Sequence, residues 1–218
     1  MTKTDCQYLK YPRTYHLPWS ENLINDDKGV ENCNHFLNQD VVVTEKLDGE
    51  NTTGYADGKI HARSLDSDNH PTRNWVKGFL TPRLYELPHG WRICGENVYA
   101  KHSIHYHHLR SYFYLFSIWT DKNICLSWNE MVDWAKLLGL ETVPVIYSGV
   151  WDADYIHVTF KHYSSCSYDE VEGYVVRKSG YFGYTQFKSS VAKYVRKNHV
   201  QTSQHWMSES ITKNKLGD

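Results

Sequence analysis

A single lysine, Lys46, stands between the β-branched run Val41-Val42-Val43-Thr44 and the turn pair Asp48-Gly49 in the stretch VVVTEKLDGENTTGY. A primary amine in that place suits nucleophilic chemistry. A strand end directs one side chain off the sheet edge, and glycine at position 49 lets a ligand come close to the main chain. An amine of ordinary pKa is protonated at neutral pH, so the lysine reacts only where burial or nearby cations depress that value. The three valines supply the dry side. Three more charged clusters follow at strand ends: Arg63 in HARSLDS, Glu96 in ICGENVYA, and Glu172 with Arg177 in VEGYVVR.

Such a lysine needs a rigid sheet to hold it. Short β-rich runs separated by turn signals dominate the chain and read as successive antiparallel hairpins, not as alternating βαβ units. Residues 41–46 are a predicted strand. Residues 51–56 and 59–64 flank Asp57-Gly58, the commonest short hairpin signal, and the strand 91–94 leads into Gly95-Glu96-Asn97. Residues 111–119 and 123–126 are joined by a tight turn, and residues 171–177 are expected to pair with 181–187 across Lys178-Ser179-Gly180. Helices are fewer. Ser127 and Glu130 form a capping box before a helix to Leu138 that Gly139 ends, and two further helices are expected over 30–37 and 190–197. The expected class is α+β, with helices laid against antiparallel sheets.

In chain order, EKLDGEN, HARSLDS, ICGENVYA and VEGYVVR resemble motifs I, Ia, III and IV of the covalent nucleotidyltransferases, the superfamily of polynucleotide ligases and RNA capping enzymes. SYFYLFSIW resembles motif IIIa and FKSSVAKYVR motif V, so the likeness runs from Glu45 to about Arg196. Glu45, Lys46, Gly49 and Asn51 are similar to the RNA ligase 2-like branch of ATP-dependent RNA ligases, whereas DNA ligases and capping enzymes usually carry arginine in the place of Asn51. The resemblance implies an antiparallel-sheet nucleotidyltransferase (ATP-grasp-like ligase adenylation) domain with flanking helices over residues 1–200. A tail of 201–218 would follow, with no OB or other C-terminal domain. It also implies an enzyme that joins the 3′-OH and 5′-phosphate ends of nicked or paired RNA through a covalent lysine-AMP.

In that reading Lys46 attacks the α-phosphorus of ATP and Glu96 accepts from the ribose hydroxyls. Phe116 stacks on adenine, with Glu45 and Asn51 part of the same nucleotide site. Glu172 would hold Mg²⁺ or Mn²⁺, and Lys188 and Arg63 offset charge on the phosphates. Two positions depart from the motifs. Ser190 stands where a second motif V lysine is usual, with Lys193 out of register and not assigned that role, and Ser117 stands where an acidic residue usually follows the stacking phenylalanine. The competing readings are a DNA ligase or GTP-dependent capping-type nucleotidyltransferase on the same scaffold, and a nucleotide- or RNA-binding module without turnover.

The charge balance restricts how a polyanion is held. Lys+Arg 24 against Asp+Glu 25 gives a net charge of -1, so RNA must meet a local patch. The segment 188–215 offers Lys188, Lys193, Arg196, Lys197, Lys213 and Lys215 against Glu209 alone. Five scattered cysteines with no C-x-x-C pair suggest neither a disulfide framework nor a zinc ribbon, and fit a reducing, cytoplasmic setting. There is no apolar signal core at the N-terminus and no run near the ~20 apolar residues that a membrane span needs. His102, His105, His107 and His108 in KHSIHYHH have no cysteine or acid beside them and read as phosphate-facing or substrate-positioning groups before a zinc site. Residues 10–20 read as an ordered loop over a pocket or as an N-terminal strap, and a protein partner could supply a missing domain.

Overall fold

The β-branched and aromatic runs build two facing sheets, and the chain passes from one to the other immediately after Lys46. The computed structural model describes residues 8–21, 27–67, 69–163, 171–197, 199 and 211–217. The elements in chain order are β1 (Tyr15–His16), a 3-10 turn (Asn34–Phe36), β2 (Asp40–Lys46), β3 (Glu50–Tyr55) and β4 (Ile60–Ala62). A second 3-10 turn (Pro71–Arg73), α1 (Asn74–Leu84), β5 (Arg92–Asn97), β6 (Phe113–Trp119), β7 (Ile124–Cys125) and α2 (Trp128–Leu138) follow. Then come β8 (Glu141–Thr142), β9 (Val145–Val150), α3 (Ala153–His162), β10 (Gly173–Lys178), β11 (Phe182–Gly183), a 3-10 segment (Tyr184–Ser189) and β12 (Val191–Val195). The first sheet has the order β1-β12-β10-β2-β9, and the second β11-β7-β6-β5-β3-β4 with β8 beside β6. This is the expected α+β architecture, mostly antiparallel.

Period-two alternation decides what each strand shows to the space between the sheets. On β2, β10 and β12 one set, Val41, Val43, Tyr174, Val176, Ala192 and Tyr194, forms a core with Ile156 of α3. The alternate set, Thr44, Lys46, Val175, Arg177, Val191 and Lys193, lines a cleft. The second sheet turns Ile93, Phe113, Leu115 and Ile118 away from that cleft, onto Leu80 and Leu84 of α1 and Met131, Ala135 and Leu138 of α2. The cleft is thus walled by two sheets, each backed by helices.

Several expected elements take another form. The segment expected as a helix over 190–197 contains strand β12, parallel to β1 and antiparallel to β10. Its alternation of Ala192 and Tyr194 with Val191 and Lys193 satisfies one core and one cleft, which a helix could not do. The helix expected over 30–37 shrinks to the turn Asn34–Phe36, beyond which Asn38 adopts a left-handed φ of 57°. The hairpin expected between 171–177 and 181–187 does not form. Both edges of β10 are already occupied by β2 and β12, so the chain leaves after Gly180 and pairs β11 with β7 in the second sheet. β5 runs on to Asn97 and places Glu96 inside a strand. Helices α1 and α3 were not expected. α1 contains Gly78 and Pro82, and α3 is rich in β-branched and aromatic residues but is started by the Asp152 carboxylate, which accepts from the Tyr155 amide at 2.9 Å. Where turn chemistry is explicit it holds: Gly58 has φ 89° in the β3–β4 hairpin, and Ser127 and Gly139 (φ 60°) cap α2. Among the described residues no helix is long and apolar enough to cross a membrane.

Candidate active site

Two glycines set the geometry around Lys46. A Cβ on Gly49 would lie 2.5 Å from the Asn97 carbonyl oxygen and 2.8 Å from Val98 Cγ1. A Cβ on Gly173 would collide with the Tyr194 carbonyl oxygen. Only glycine lets the β2–β3 connection cross the end of β5, and only glycine lets β12 run so close to the first residue of β10. The close approach expected of Gly49 is therefore made by the protein's own backbone. It brings Lys46 from the first sheet together with Glu96 from the second and Glu172 at the head of β10.

Lys46 Nζ lies 2.7 Å from both carboxylate oxygens of Glu172. Glu172 is only 3% exposed, and its Oε1 is 3.5 Å from Nε2 of the buried His199. The adjoining Asp48 carboxylate accepts from the Ser103 amide (2.7 Å), the Ser103 hydroxyl (2.6 Å) and the Ile104 amide (2.9 Å). One donor atom each from Asp48, Glu172 and His199 lies within 4.8 Å of the others. Burial alone would depress Lys46, but Glu172, Glu96 and Asp48 outweigh it and hold the ammonium above its ordinary pKa. The sequence expectation was a depressed value, and the surplus of carboxylates reverses it. Burial would likewise raise Asp48, yet the Ser103 hydroxyl and Ile104 amide keep it below the usual range. Glu96 goes the other way: withdrawal from water pushes its pKa up, Lys46 opposes, Glu172 and Asp48 add to the rise, and the result is about 8.

The cleft has a volume of about 980 Å³. Lys46, Asn51, Arg63, Glu96 and Phe116 all line it, with Asn51 and Glu96 paired directly across β3 and β5. The Asn51 side-chain oxygen is buried without a hydrogen-bond partner among the described residues. Glu45 borders the cleft, but its carboxylate, 1% exposed, accepts from the Tyr163 hydroxyl at the end of α3 (2.9 Å). Of the two forms expected for 10–20, Tyr11, Pro12, Arg13 and Thr14 take that of a loop bordering the cleft, with Tyr11 edge-on to Phe116 at 5.1 Å. Lys188 does not line the cleft. It sits exposed on the 3-10 segment before β12, with its amine 4.9 Å from the centre of the Tyr15 ring.

The sequence matches the family described as RNA ligase over residues 39–195. The chain belongs to the RNA ligase family. This member of the RNA ligase family is similar in fold to the Naegleria gruberi RNA ligase with PPi (TM-score 0.56, 19% identity, covering 89% of this chain and 60% of that one). A variant of the same Naegleria gruberi enzyme with ATP and Mn gives a TM-score of 0.55 at 18% identity, over 87% of this chain and 61% of that one. An archaeal ATP-dependent RNA ligase gives 0.54 at 16% identity, over 85% of this chain and 48% of that one. The chain thus spans about half to three-fifths of the length of these structures. No curated protein sequence matches it.

Sequence reasoning gave no cleft role to several residues that line or support the cleft, Lys193 and Arg177 among them although both were noted. Lys193 faces it from β12, its amine 3.6 Å from Asp27, which in turn lies 3.2 Å from the fully buried His16. Burial and the like charge of Lys46 depress the Lys193 pKa despite Asp27 and Glu172. The signal was present as alternation in VAKYV, masked by the helical expectation. Arg177 of β10 donates to the Leu126 carbonyl (2.7 Å) and the Phe116 carbonyl (3.2 Å), so one guanidinium ties the first sheet to the second. Arg73 and Glu50 form a two-pronged pair at 2.8 and 2.5 Å on the cleft wall. Neither Arg73 nor His199 carries a local motif that would have exposed it.

Proposed function

We propose that this chain is the catalytic domain of an ATP-dependent RNA ligase that works through a covalent lysine-AMP at Lys46. The observation that carries the reading is that Lys46 and Glu96 line one cleft, with Glu172 paired to Lys46 behind it, in a chain of the RNA ligase family. Lys46 Nζ attacks the α-phosphorus of ATP: an N–P bond forms, the P–O bond to the β-phosphate breaks, pyrophosphate leaves, and the ammonium gives up two protons to water, keeping one N–H in the phosphoramidate. An RNA 5′-phosphate oxygen then takes the AMP from Lys46, and the 3′-OH finally displaces AMP to make the phosphodiester.

The chain's own groups fit these steps. The Lys46–Glu172 pair keeps the amine at the cleft but protonated, so it opens before attack. Glu96, with its pKa near 8, is largely protonated at neutral pH and both donates to and accepts from ribose hydroxyls. Phe116 offers a face to adenine, and Arg63 with Lys193, in place of Lys188, offsets phosphate charge. Asp48, Glu172 and His199 would hold a divalent cation: the carboxylates are hard donors that suit Mg²⁺ or Mn²⁺, and the imidazole suits Mn²⁺. Bound there, the ion would neutralise charge on the phosphates. The substrate is RNA with 5′-phosphate and 3′-OH ends, and the setting is the cytoplasm, where buried thiols such as Cys94 and Cys125 stay reduced.

Incubation with ATP and Mg²⁺ followed by intact-mass and peptide analysis tests this. The expected result is one AMP on Lys46 and none in Lys46→Ala. Label retained at full level in Lys46→Ala overturns the reading, and labelling by GTP but not ATP replaces it with the capping type.

A further inference from the structure

The histidine-rich loop after β5 and the segment 211–217 are joined into one surface. The Lys101 amide donates to the Thr212 carbonyl (2.8 Å), Lys215 to Tyr106 (2.9 Å) and Leu109 to Lys215 (3.1 Å). Asn214, 1% exposed, fixes the junction: its Oδ1 accepts from the Tyr106 amide (2.9 Å), and its Nδ2 donates to the carbonyls of Val98 (2.8 Å) and Ala100 (3.3 Å). This pairing brings exposed Lys101, Arg110, Lys213 and Lys215 together with exposed His107 and His108. Neither 98–110 nor 211–217 contains an Asp or Glu; among the described residues Asp48 meets the loop from the cleft side at Ser103, and Glu141 lies 4.0 Å from Arg110. The Lys213 amine sits over Tyr99 (5.2 Å) and Tyr112 (5.0 Å), and Tyr99 is stacked beside Trp75, which itself stacks on Phe79 at 4.6 Å. Tyr99, Trp75 and Phe79 are partly exposed. The same loop reaches the active site, since Ser103 anchors Asp48 and His102 lines the cleft.

We propose that this lysine- and histidine-rich surface is where the chain grips the phosphodiester backbone of its RNA. The proposal rests on the ligase reading of the cleft. In a protein of net charge -1, four exposed cations on two paired segments that contain no acid give a local excess of positive charge. Backbone pairing holds them in place before RNA arrives, which lowers the ordering entropy of binding. Of the segment 188–215 to which the charge count pointed, Lys213 and Lys215 belong to this surface, and the cations of 188–197 are dispersed. Lys193 faces the cleft, Lys188 lies over Tyr15, the Arg196 guanidinium donates to the Val171 carbonyl (2.8 Å), and the Lys197 amide donates to Glu21 (3.0 Å).

The test is binding of a fluorescent nicked RNA duplex across a salt series. It compares wild type with Lys101→Ala/Arg110→Ala, Lys213→Ala/Lys215→Ala, Lys213→Arg/Lys215→Arg and Arg196→Ala/Lys197→Ala. Each alanine pair on the proposed surface should weaken binding at low salt by about tenfold or more and flatten the plot of log affinity against log salt by about 1.8, twice the ~0.9 expected per phosphate contact. The arginine pair should bind as wild type, which separates lost charge from lost fold. Wild-type affinity and slope in both alanine pairs on the surface, or the main loss falling in Arg196→Ala/Lys197→Ala, overturns the proposal. The ligase reading is judged separately by AMP on Lys46 of the wild type, which forms without RNA.

Discussion

Lys46 Nζ and the Glu172 carboxylate lie 2.7 Å apart across the ends of two neighbouring antiparallel strands, so the candidate nucleophile and the candidate metal-binding acid form one ion pair. Register produces the pairing. Lys46 is opposite Gly173, and the missing Cβ at Gly173 admits β12 on the far side of β10, which brings Lys193 to the same cleft. The glycine after the acid is thus as much a part of the site as the acid. Glu172 keeps the Lys46 amine charged, which stores it unreactive.

Removing one partner should cost stability as well as activity. Lys46→Ala leaves Glu172, at 3% exposure, without its ion-pair partner and beside His199 and Asp48, and an uncompensated buried charge costs on the order of 2 kcal/mol. Lys46→Arg keeps the charge but lacks a nucleophilic amine. Both variants should fail to take up AMP, and thermal denaturation should show Lys46→Ala falling well below wild type while Lys46→Arg stays close to it. Equal melting temperatures for all three would mean the ion pair does not hold the strand ends.

Metal dependence should follow the donor set. Glu172→Gln keeps the shape but removes a charge, and lysine-AMP formation should drop by about a hundredfold or more. His199→Ala should instead raise the Mn²⁺ concentration needed for half-maximal labelling by about tenfold, with less effect at saturation. A Mn²⁺ titration of His199→Ala that overlays the wild type removes the imidazole from the site.

Lysine, glutamate and glycine motifs made the cleft legible in the sequence because their chemistry is local. Asp48-Gly49 and Glu172-Gly173 each place an acid beside the glycine that permits a crossing. What stayed hidden depends on the fold. Lys193 reads as part of a helical pattern until β1 and β10 are known to flank it, and His199 meets Glu172 only through tertiary packing. Lys188 is the converse case. Its place in the motif suggested a phosphate ligand, but it stands on the 3-10 segment before β12, outside the alternation that aims Lys193 inward. Helices α1 and α3 were missed because Gly78, Pro82 and β-branched residues obscure propensity that packing against the sheets overrides.

That contrast between two lysines is directly measurable. Lys193→Ala should slow lysine-AMP formation and raise the ATP concentration needed, because a cleft cation is lost, while Lys188→Ala should label at the wild-type rate. Asp27→Asn should give a smaller effect in the same direction as Lys193→Ala, since Asp27 lies 3.6 Å from the lysine amine and only steers it. If Lys188→Ala is the slower variant, phosphate charge is offset from the 3-10 segment and not from β12.

Glu96 gives the protein a pH dependence of its own. Its folded pKa of about 8 stands above the ordinary 4.5, so between those values the folded chain retains a proton that the unfolded chain has released. Where the folded state binds more protons, stability falls as pH rises; the loss starts near pH 4.5 and is complete a little above pH 8. Glu96→Gln mimics the protonated acid at every pH and removes this slope. The difference in melting temperature between Glu96→Gln and wild type should therefore grow in favour of the variant from pH 5 to pH 8.5 and then level, with a span on the order of 2 kcal/mol after screening by water in the cleft. Other titrating groups cancel in the difference, provided they are distant from position 96. The same substitution keeps a donor and an acceptor for ribose, so Glu96→Gln should label with ATP better than Glu96→Ala at neutral pH. A flat difference in melting temperature across the range would mean that Glu96 is ionised throughout, and the role of its proton in holding ribose would fall with it.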